Sequence, residues 1–259
     1  MGPLQGIVVL DLTRILAGPW ATQLLADFGA TVLKVEHPQG GDDTRRWGPP
    51  YLRDCEGQQT GESAYYLAAN RGKHSLAIDF SQPEGQALVR RLAAGADVLV
   101  ENFKVGGLAR YGLGYPDLAA EHPRLVYLSI SAFGQDGPEA ARPGYDAMIQ
   151  ARGGLMSLTG IPDGEPGAGP QKVGVAVADL MCGMYAVAAI LAALHERERS
   201  GQGQYIDLSL LDTQVAWLAN QNLNYLVTGR PPGRQGTAHP NIVPYQAFET
   251  ADGHLMLAV

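Results

Sequence analysis

Apolar runs of strand length recur along this chain with helical stretches between them, and no other feature restricts its fold as much. Ile7-Val-Val-Leu-Asp-Leu12 leads into Ala17-Gly-Pro-Trp20 and then apolar residues at Leu24, Leu25 and Phe28, which predicts a strand, a tight turn and a helix ending near Gly29. Thr31-Val-Leu-Lys-Val-Glu36, rich in β-branched residues, reads as the second strand. A strand, helix, strand unit of this kind builds a parallel sheet. More strands are predicted at 75–79, 98–102 and 125–130, with a short helical patch from Ser63 to Asn70. Ser81-Gln-Pro-Glu84 has the form of a capping box opening a helix to Ala94. The alternation persists to Leu208, so residues 1–228 read as one α/β domain, a Rossmann-like, doubly wound parallel sheet.

Residues 37–62 are rich in Gly, Pro, Asp and Arg, lack periodicity, and are expected to form a long surface loop. Arg230-Pro-Pro-Gly-Arg-Gln-Gly-Thr-Ala-His-Pro240 marks a hinge, assigned to 229–240. Residues 241–259, with a hairpin signal at Ala251-Asp-Gly253, are expected to begin a second, smaller α+β domain that is cut short at Val259. In doubly wound sheets ligands sit beyond the carboxyl ends of the strands. The segments expected there are Thr13–Pro19, Glu36–Arg46, Glu101–Arg110 and Ser131–Gly137.

Absent motifs narrow the chemistry. GxGxxG, GxxxxGK[ST], HExxH and GxSxG do not occur, which disfavours NAD, a nucleotide held by a P-loop, catalytic zinc and an esterase serine. A net charge of -7 without a Lys/Arg-rich run gives no reason to expect nucleic acid. No charged and apolar leader opens the chain and no window is expected to reach membrane-spanning length, so a cytoplasmic protein without a membrane partner is expected. The two cysteines, Cys55 and Cys182, have no metal or redox spacing, and no metal is expected.

The stretch Val173-Gly-Val-Ala-Val-Ala-Asp-Leu-Met-Cys-Gly-Met-Tyr185 places one carboxylate, Asp179, in an apolar run that continues to Glu196-Arg-Glu-Arg-Ser-Gly201. It reads as a largely buried helix ended by a glycine, with Asp179 near its first turn. Two readings stay open on these residues alone. Asp179 is a helix N-cap, or it is a poorly hydrated carboxylate able to act as a nucleophile.

Taken in order, Leu10-Asp-Leu-Thr13, Ala17-Gly-Pro19, Lys34-Val-Glu36 with Gly41-Asp42, Asn70-Arg-Gly-Lys73, Val100-Glu-Asn-Phe103, Ser131-Ala-Phe-Gly-Gln-Asp-Gly-Pro138, Gly144-Tyr-Asp146, the Asp179 run and Gly201-Gln-Gly-Gln204 resemble the class III CoA-transferase family. That family includes formyl-CoA and carnitine-CoA transferases and methylacyl-CoA racemases. The resemblance implies that Asp179 attacks an acyl-CoA thioester to give a mixed anhydride and then an aspartyl-CoA thioester. Coenzyme A, as acyl-CoA, and a carboxylic acid are the implied substrates, and an interlocked homodimer is the implied assembly. By family position, CoA contacts are expected from Ile15, Leu16, Ala17, Arg71, Lys73, His74, Asn102, Phe103 and Arg110. Tyr145, Gly236 and His239 are the implied substrate and lid residues, the last two in a stretch matching a mobile glycine loop. Leu16 and His37 replace a Gln and an Arg of the formyl-CoA enzyme, so formyl and oxalate are not the expected substrates.

Two alternatives follow from the same resemblance. The racemase branch uses a His in a Gly-His-Asp context, where this chain has Tyr145, and a phenol is a poor base near neutral pH. The other is a non-catalytic CoA-binding fragment, because family members are longer than 259 residues.

Overall fold

The computed structural model of the chain describes residues 2–259. It runs β1 (Val8–Asp11), α1 (Ala17–Asp27), β2 (Thr31–Glu36), a 3-10 turn (Asp43–Arg46), β3 (Tyr51–Arg53), β4 (Gln59–Ser63), α2 (Ala64–Ala69) and β5 (Lys73–Ala77). There follow α3 (Pro83–Ala94), β6 (Val98–Glu101), a 3-10 turn (Ala109–Tyr111), α4 (Tyr115–Glu121), β7 (Val126–Ser131), α5 (Asp146–Arg152) and α6 (Leu155–Leu158). The chain closes with α7 (Val177–Ser200), β8 (Tyr205–Ser209), α8 (Leu210–Ala216), α9 (Asn220–Thr228), β9 (Tyr245–Thr250) and β10 (Gly253–Ala258).

Six strands form one parallel sheet in the order β5-β2-β1-β6-β7-β8. The chain winds outward from β1 through β2 to β5, then returns to β1's other side and winds outward again. This is the doubly wound arrangement that the strand–helix alternation predicts, with its switch point between β1 and β6. Side chains alternate across the strands and divide the core in two. Val9, Val98, Val126 and Leu128 pack with Ala21 and Leu25 of α1 and with Cys182, Ala186 and Ile190 of α7. Leu10, Leu99 and Tyr127 pack on the other face with Val89 of α3 and Leu118 of α4.

Several local expectations need correction. Residues 37–62 are more than a surface loop: they hold a 3-10 turn and the β3–β4 hairpin, and Asp42, Thr44 and Ser63 are buried there. Periodicity failed because this segment is ordered by side-chain hydrogen bonds, such as Ser63 Oγ to the Thr44 carbonyl at 2.5 Å. β5 begins two residues before the expected strand. The capping box does not form, since Ser81 bonds instead to Asp79 in a local turn and Gln82 caps α3 without a side-chain bond. α7 meets the length and composition of a membrane span, with a mean hydropathy of 2.0, contrary to the expectation that no window would. Its apolarity has another cause: this 24-residue helix packs beside α1 on one face of the sheet and contributes Cys182, Ala186 and Ile190 to the core there.

β9 and β10 pair antiparallel in a separate two-stranded sheet, joined through Ala251 and Asp252 at the turn signal. α7 ends at Gly201, whose φ of +74° is the left-handed conformation of a glycine C-cap.

The crossing of α1 and α7 depends on one small residue. A Cβ at Gly183 would sit 2.9 Å from the Ala17 carbonyl oxygen and 3.0 Å from a Trp20 ring carbon. Gly183→Leu should therefore force the two helices apart and lower stability by about 2 kcal/mol or more. Urea unfolding checks this, and an unchanged midpoint would mean the crossing tolerates a side chain.

Candidate active site

A cleft of about 200 Å³ opens at the carboxyl ends of the central strands, over the switch point. The turn after β1 contributes Arg14, Ile15, Leu16 and Ala17, and the segment after β6 contributes Asn102, Phe103, Lys104 and Val105. Ser131 ends β7 and Ala132 follows it, 140–145 come from the longer loop beyond, and Asp179 enters from α7. α1 and α7 both begin here, so two positive helix ends face the cleft.

Asp179 is not the N-cap of α7. The cap position is Ala176, which offers no side-chain acceptor. The capping bond comes from α5, where Asp146 Oδ1 accepts the Ala178 N–H at 2.8 Å while its Oδ2 takes Gln150 Nε2 at 2.7 Å. Gln150 Oε1 in turn accepts the Val173 N–H at 2.9 Å, fixing the approach to α7. Among the described residues no hydrogen-bond donor reaches the Asp179 carboxylate. Burial, and then the negative charge of Asp146, push its pKa up to about 7. Tyr65 on α2 senses the same charges: burial first, then Asp179 and Asp146, raise its phenol to about 12.

The cations in the cleft differ in how firmly the protein holds them. Arg14 lies 5.0 Å over the Phe103 ring and 3.4 Å from Asp43, in a half-exposed pair. Arg142 pairs with Glu139 at 2.6 Å, and Arg152 satisfies the other oxygen of that carboxylate at 2.6 Å. Lys104 has no carboxylate partner among the described residues.

A second cavity of about 190 Å³ adjoins the first. Its walls include Thr13, His37, Asp79, Phe80, Ser81, Phe103 and Tyr111, and Arg14 and Phe103 line both cavities. Phe80 stacks edge-on with Phe103 and Tyr111 at 5.7 and 5.8 Å.

The residues expected at the site separate into two groups. Ile15, Leu16, Ala17, Asn102, Phe103, Tyr145 and Asp179 converge on the first cleft, Tyr145 with 67% of its surface exposed. Arg110 lines neither cavity, but its guanidinium lies 4.5 Å over the ring of Tyr111, which lines the second.

Arg71, Lys73 and His74 lie elsewhere. They precede or begin β5, and residues before a parallel strand sit at its amino end; the loop after β5, Ile78–Ser81, is the one that reaches the cavity. Arg71 pairs with Asp27 at the far end of α1. Lys73 is buried, with Nζ on Asp11 at 3.0 Å, the Pro19 carbonyl at 2.9 Å and Asn70 at 2.9 Å. Gly236 and His239 also fall outside both linings: Gly236 N–H bonds the Gly160 carbonyl at 3.2 Å, and His239 N–H bonds that of Tyr245 at 2.9 Å. Arg234 holds this segment to Ile161 and Asp163, turning it toward the 160–163 loop.

Arg14, Lys104, Arg142 and Tyr65 were not singled out from the sequence. Arg14 and Lys104 fall within loops expected at the carboxyl ends, so topology alone pointed to them. Arg142 and Tyr65 carry no sequence signal apart from the fold.

The doubly wound α/β domain thus carries an unpaired, poorly hydrated carboxylate in a cleft at the carboxyl ends of its strands, the usual place for a small-molecule site in such folds. Residues 4–259 match CoA-transferase family III, and the chain belongs to that family. It is 58% identical over 257 residues to a succinate–glutarate CoA-transferase of Agrobacterium fabrum, covering 99% of this chain and 63% of that protein. It is 47% identical over 255 residues to a human succinyl-CoA:glutarate CoA-transferase, covering 98% of this chain and 56% of the relative. A crystal structure of a CAIB/BAIF family protein from Brucella suis superposes with a TM-score of 0.91 at 54% identity, over 99% of this chain and 66% of that one. The chain thus spans roughly three-fifths of the relatives it matches.

The raised pKa predicts a pH effect on stability. The ordinary value is 3.8 and the folded value about 7, so between them the folded state holds the proton more tightly than the unfolded chain. Asp179's contribution to stability is therefore lost progressively as pH rises through this window and is constant above it. Asp179→Asn should melt close to wild type at pH 4 and higher than wild type at pH 8. Thermal melts at both values check this, and an equal gap at both would contradict the raised pKa.

Proposed function

We propose that the cleft moves CoA from an acyl-CoA donor to a carboxylic acid acceptor, with Asp179 as the covalent carrier. An Asp179 oxygen attacks the thioester carbon, the C–S bond breaks, and CoA leaves as the thiolate while acyl and aspartyl groups share a mixed anhydride. The thiolate then attacks the Asp179 carbonyl, releasing the donor's carboxylate and leaving an aspartyl-CoA thioester. The acceptor carboxylate repeats the exchange in reverse order, and the carboxylate of Asp179 is restored. The observation that carries this reading is the Asp179 carboxylate itself, in the cleft and free of protein donors, because Asp146 takes the capping role. The α1 N-terminus at Ala17 supplies a positive field for the oxyanions of the tetrahedral intermediates.

The two cavities suit the two ends of an acyl-CoA. Phe80, Phe103 and Tyr111, with Arg110 over the Tyr111 ring, offer aromatic faces and a cation for the adenine and phosphate end. The passage beside Arg14 and Phe103 then brings the thioester to Asp179. Arg14, Lys104 and Arg142 give the cleft affinity for a second carboxylate, so short dicarboxylic acids such as succinate and glutarate are the proposed acyl groups. The names of the relatives point the same way. Tyr145, where the racemase branch has a histidine, favours transfer over proton exchange. A homodimer is part of this reading, supported by the exposed apolar side chains Leu223, Leu226 and Val227 on α9 and Leu255 and Met256 on β10.

In the full gene product, succinyl-CoA plus glutarate should yield glutaryl-CoA, and Asp179→Ala should lower turnover by about a thousandfold or more. Hydroxylamine trapping during turnover should place the modification on Asp179 by mass spectrometry. Full activity in Asp179→Ala would exclude the covalent route.

A further inference from the structure

The turn joining β1 to α1 is held atom by atom from other parts of the sheet edge. Thr13 N–H donates to Asp11 Oδ1 at 2.9 Å, and the Thr13 carbonyl accepts Lys34 Nζ at 2.8 Å. Arg14 is clasped on both sides by one amide: its N–H donates to Asn102 Oδ1 at 2.9 Å and its carbonyl accepts Asn102 Nδ2 at 2.7 Å. Ile15 N–H lies 3.2 Å from each oxygen of Asp42. Asp42 is in turn paired with Lys34 at 3.0 Å, and both side chains are sealed from solvent. Within this frame Ile15 has φ +72°, a left-handed conformation that β-branched residues rarely adopt.

A buried ion pair is a weak source of net stability, so its placement asks for another account. Lys34 and Asp42 grip successive parts of the turn, and Asn102 grips the residue between them. That turn sends Ile15, Leu16 and Ala17 into the wall of the cleft holding Asp179, and Arg14 into the passage between the two cavities. Both polar ends of the Asn102 side chain take part in the clasp, the oxygen accepting one N–H and the amide nitrogen donating one hydrogen.

We propose that Asn102, Asp42 and Lys34 are positioning residues, which hold the turn 13–17 in its left-handed form so that the thioester is presented to Asp179. This rests on reading the cleft as the transfer site. Group transfer is sensitive to displacements on the ångström scale, so loosening the turn should slow acylation more than it weakens binding.

The test uses two variants of the full gene product. Asn102→Leu removes the clasp at a half-buried position, and the double substitution K34M/D42A removes both charges together, so that no lone charge remains in the interior. Three readouts are taken well below each variant's melting temperature: Ile15 amide hydrogen exchange, CoA affinity by calorimetry, and the single-turnover rate of Asp179 acylation by succinyl-CoA per folded site. The expected result in both variants is exchange faster by about tenfold or more, acylation slower by about tenfold to a hundredfold, and a CoA Kd within about threefold of wild type. Adding Ile15→Gly, which takes φ +72° without steric cost, should recover part of the acylation rate in Asn102→Leu.

Unchanged Ile15 exchange in both variants would overturn the proposal, and so would faster exchange with an unchanged acylation rate. A CoA Kd weakened in proportion to the lost rate would make Asn102 a ligand and also overturn it. If wild type itself forms no Asp179 adduct, the transfer reading fails and the thioester-presenting role fails with it. The exchange arm then still decides whether the three side chains hold the turn.

Discussion

The Asp11 carboxylate ties together the elements on which the site depends. It ends β1, the strand where the winding of the sheet reverses, and its oxygens accept Thr13 from the turn, Thr22 from α1 and Lys73 from β5. Burial works against its charge, but Lys73, Lys34 and the two hydroxyls hold its pKa well below the usual carboxylate range. The network is complete within the protein, so neither Lys73 nor Asp11 is free to meet a ligand. At the open crevice of a doubly wound sheet, the innermost charges are therefore structural, and the chemistry is left to groups one layer further out.

Asp11 and Asp179 show how surroundings separate two identical side chains. Both are withdrawn from water near the same end of the sheet. Asp11 has two ammonium groups and two hydroxyls, whereas Asp179 has a second carboxylate, Asp146, as the largest charge acting on it. Partners that stabilise the ion make the first inert, and their lack leaves the second poorly solvated near neutrality. The Asp179 lone pairs are left unengaged by the protein, whereas those of Asp11 are taken up.

The alternation of strands and helices made the sheet legible, because a period of two and a buried β-branched run survive in the residues themselves. Loops after β1 and β6 were located by the same logic, whereas the choice of Ile15–Ala17, Asn102 and Phe103 within them came from the family resemblance. Arg71, Lys73 and His74 were carried over from a motif position; Lys73 and His74 open β5 at its amino end, and the Lys73 ammonium reaches back to Asp11 at the end of β1. The 37–62 segment was opaque because Asp42, Arg45 and, from its end, Ser63 order it through irregularly spaced side-chain bonds, which leave no periodicity. The clasp of Asn102 on Arg14 spans 88 residues and was equally invisible.

The first turn of α7 rules out one reading of the apolar run, that of Asp179 as a helix cap. A long apolar helix needs acceptors for its leading N–H groups, and an aspartate near its start is the ordinary supplier. Had Asp179 filled that need, its oxygen would be bound to the backbone and its charge stabilised there. Asp146 reaches across from α5 to do it instead, and Gln150 steadies the segment leading in. Capping in trans both frees the Asp179 carboxylate and sets a negative charge beside it. The same residue that completes the helix thus raises the pKa of the group the helix displays, which couples the packing of α5 against α7 to the charge state of the Asp179 carboxyl.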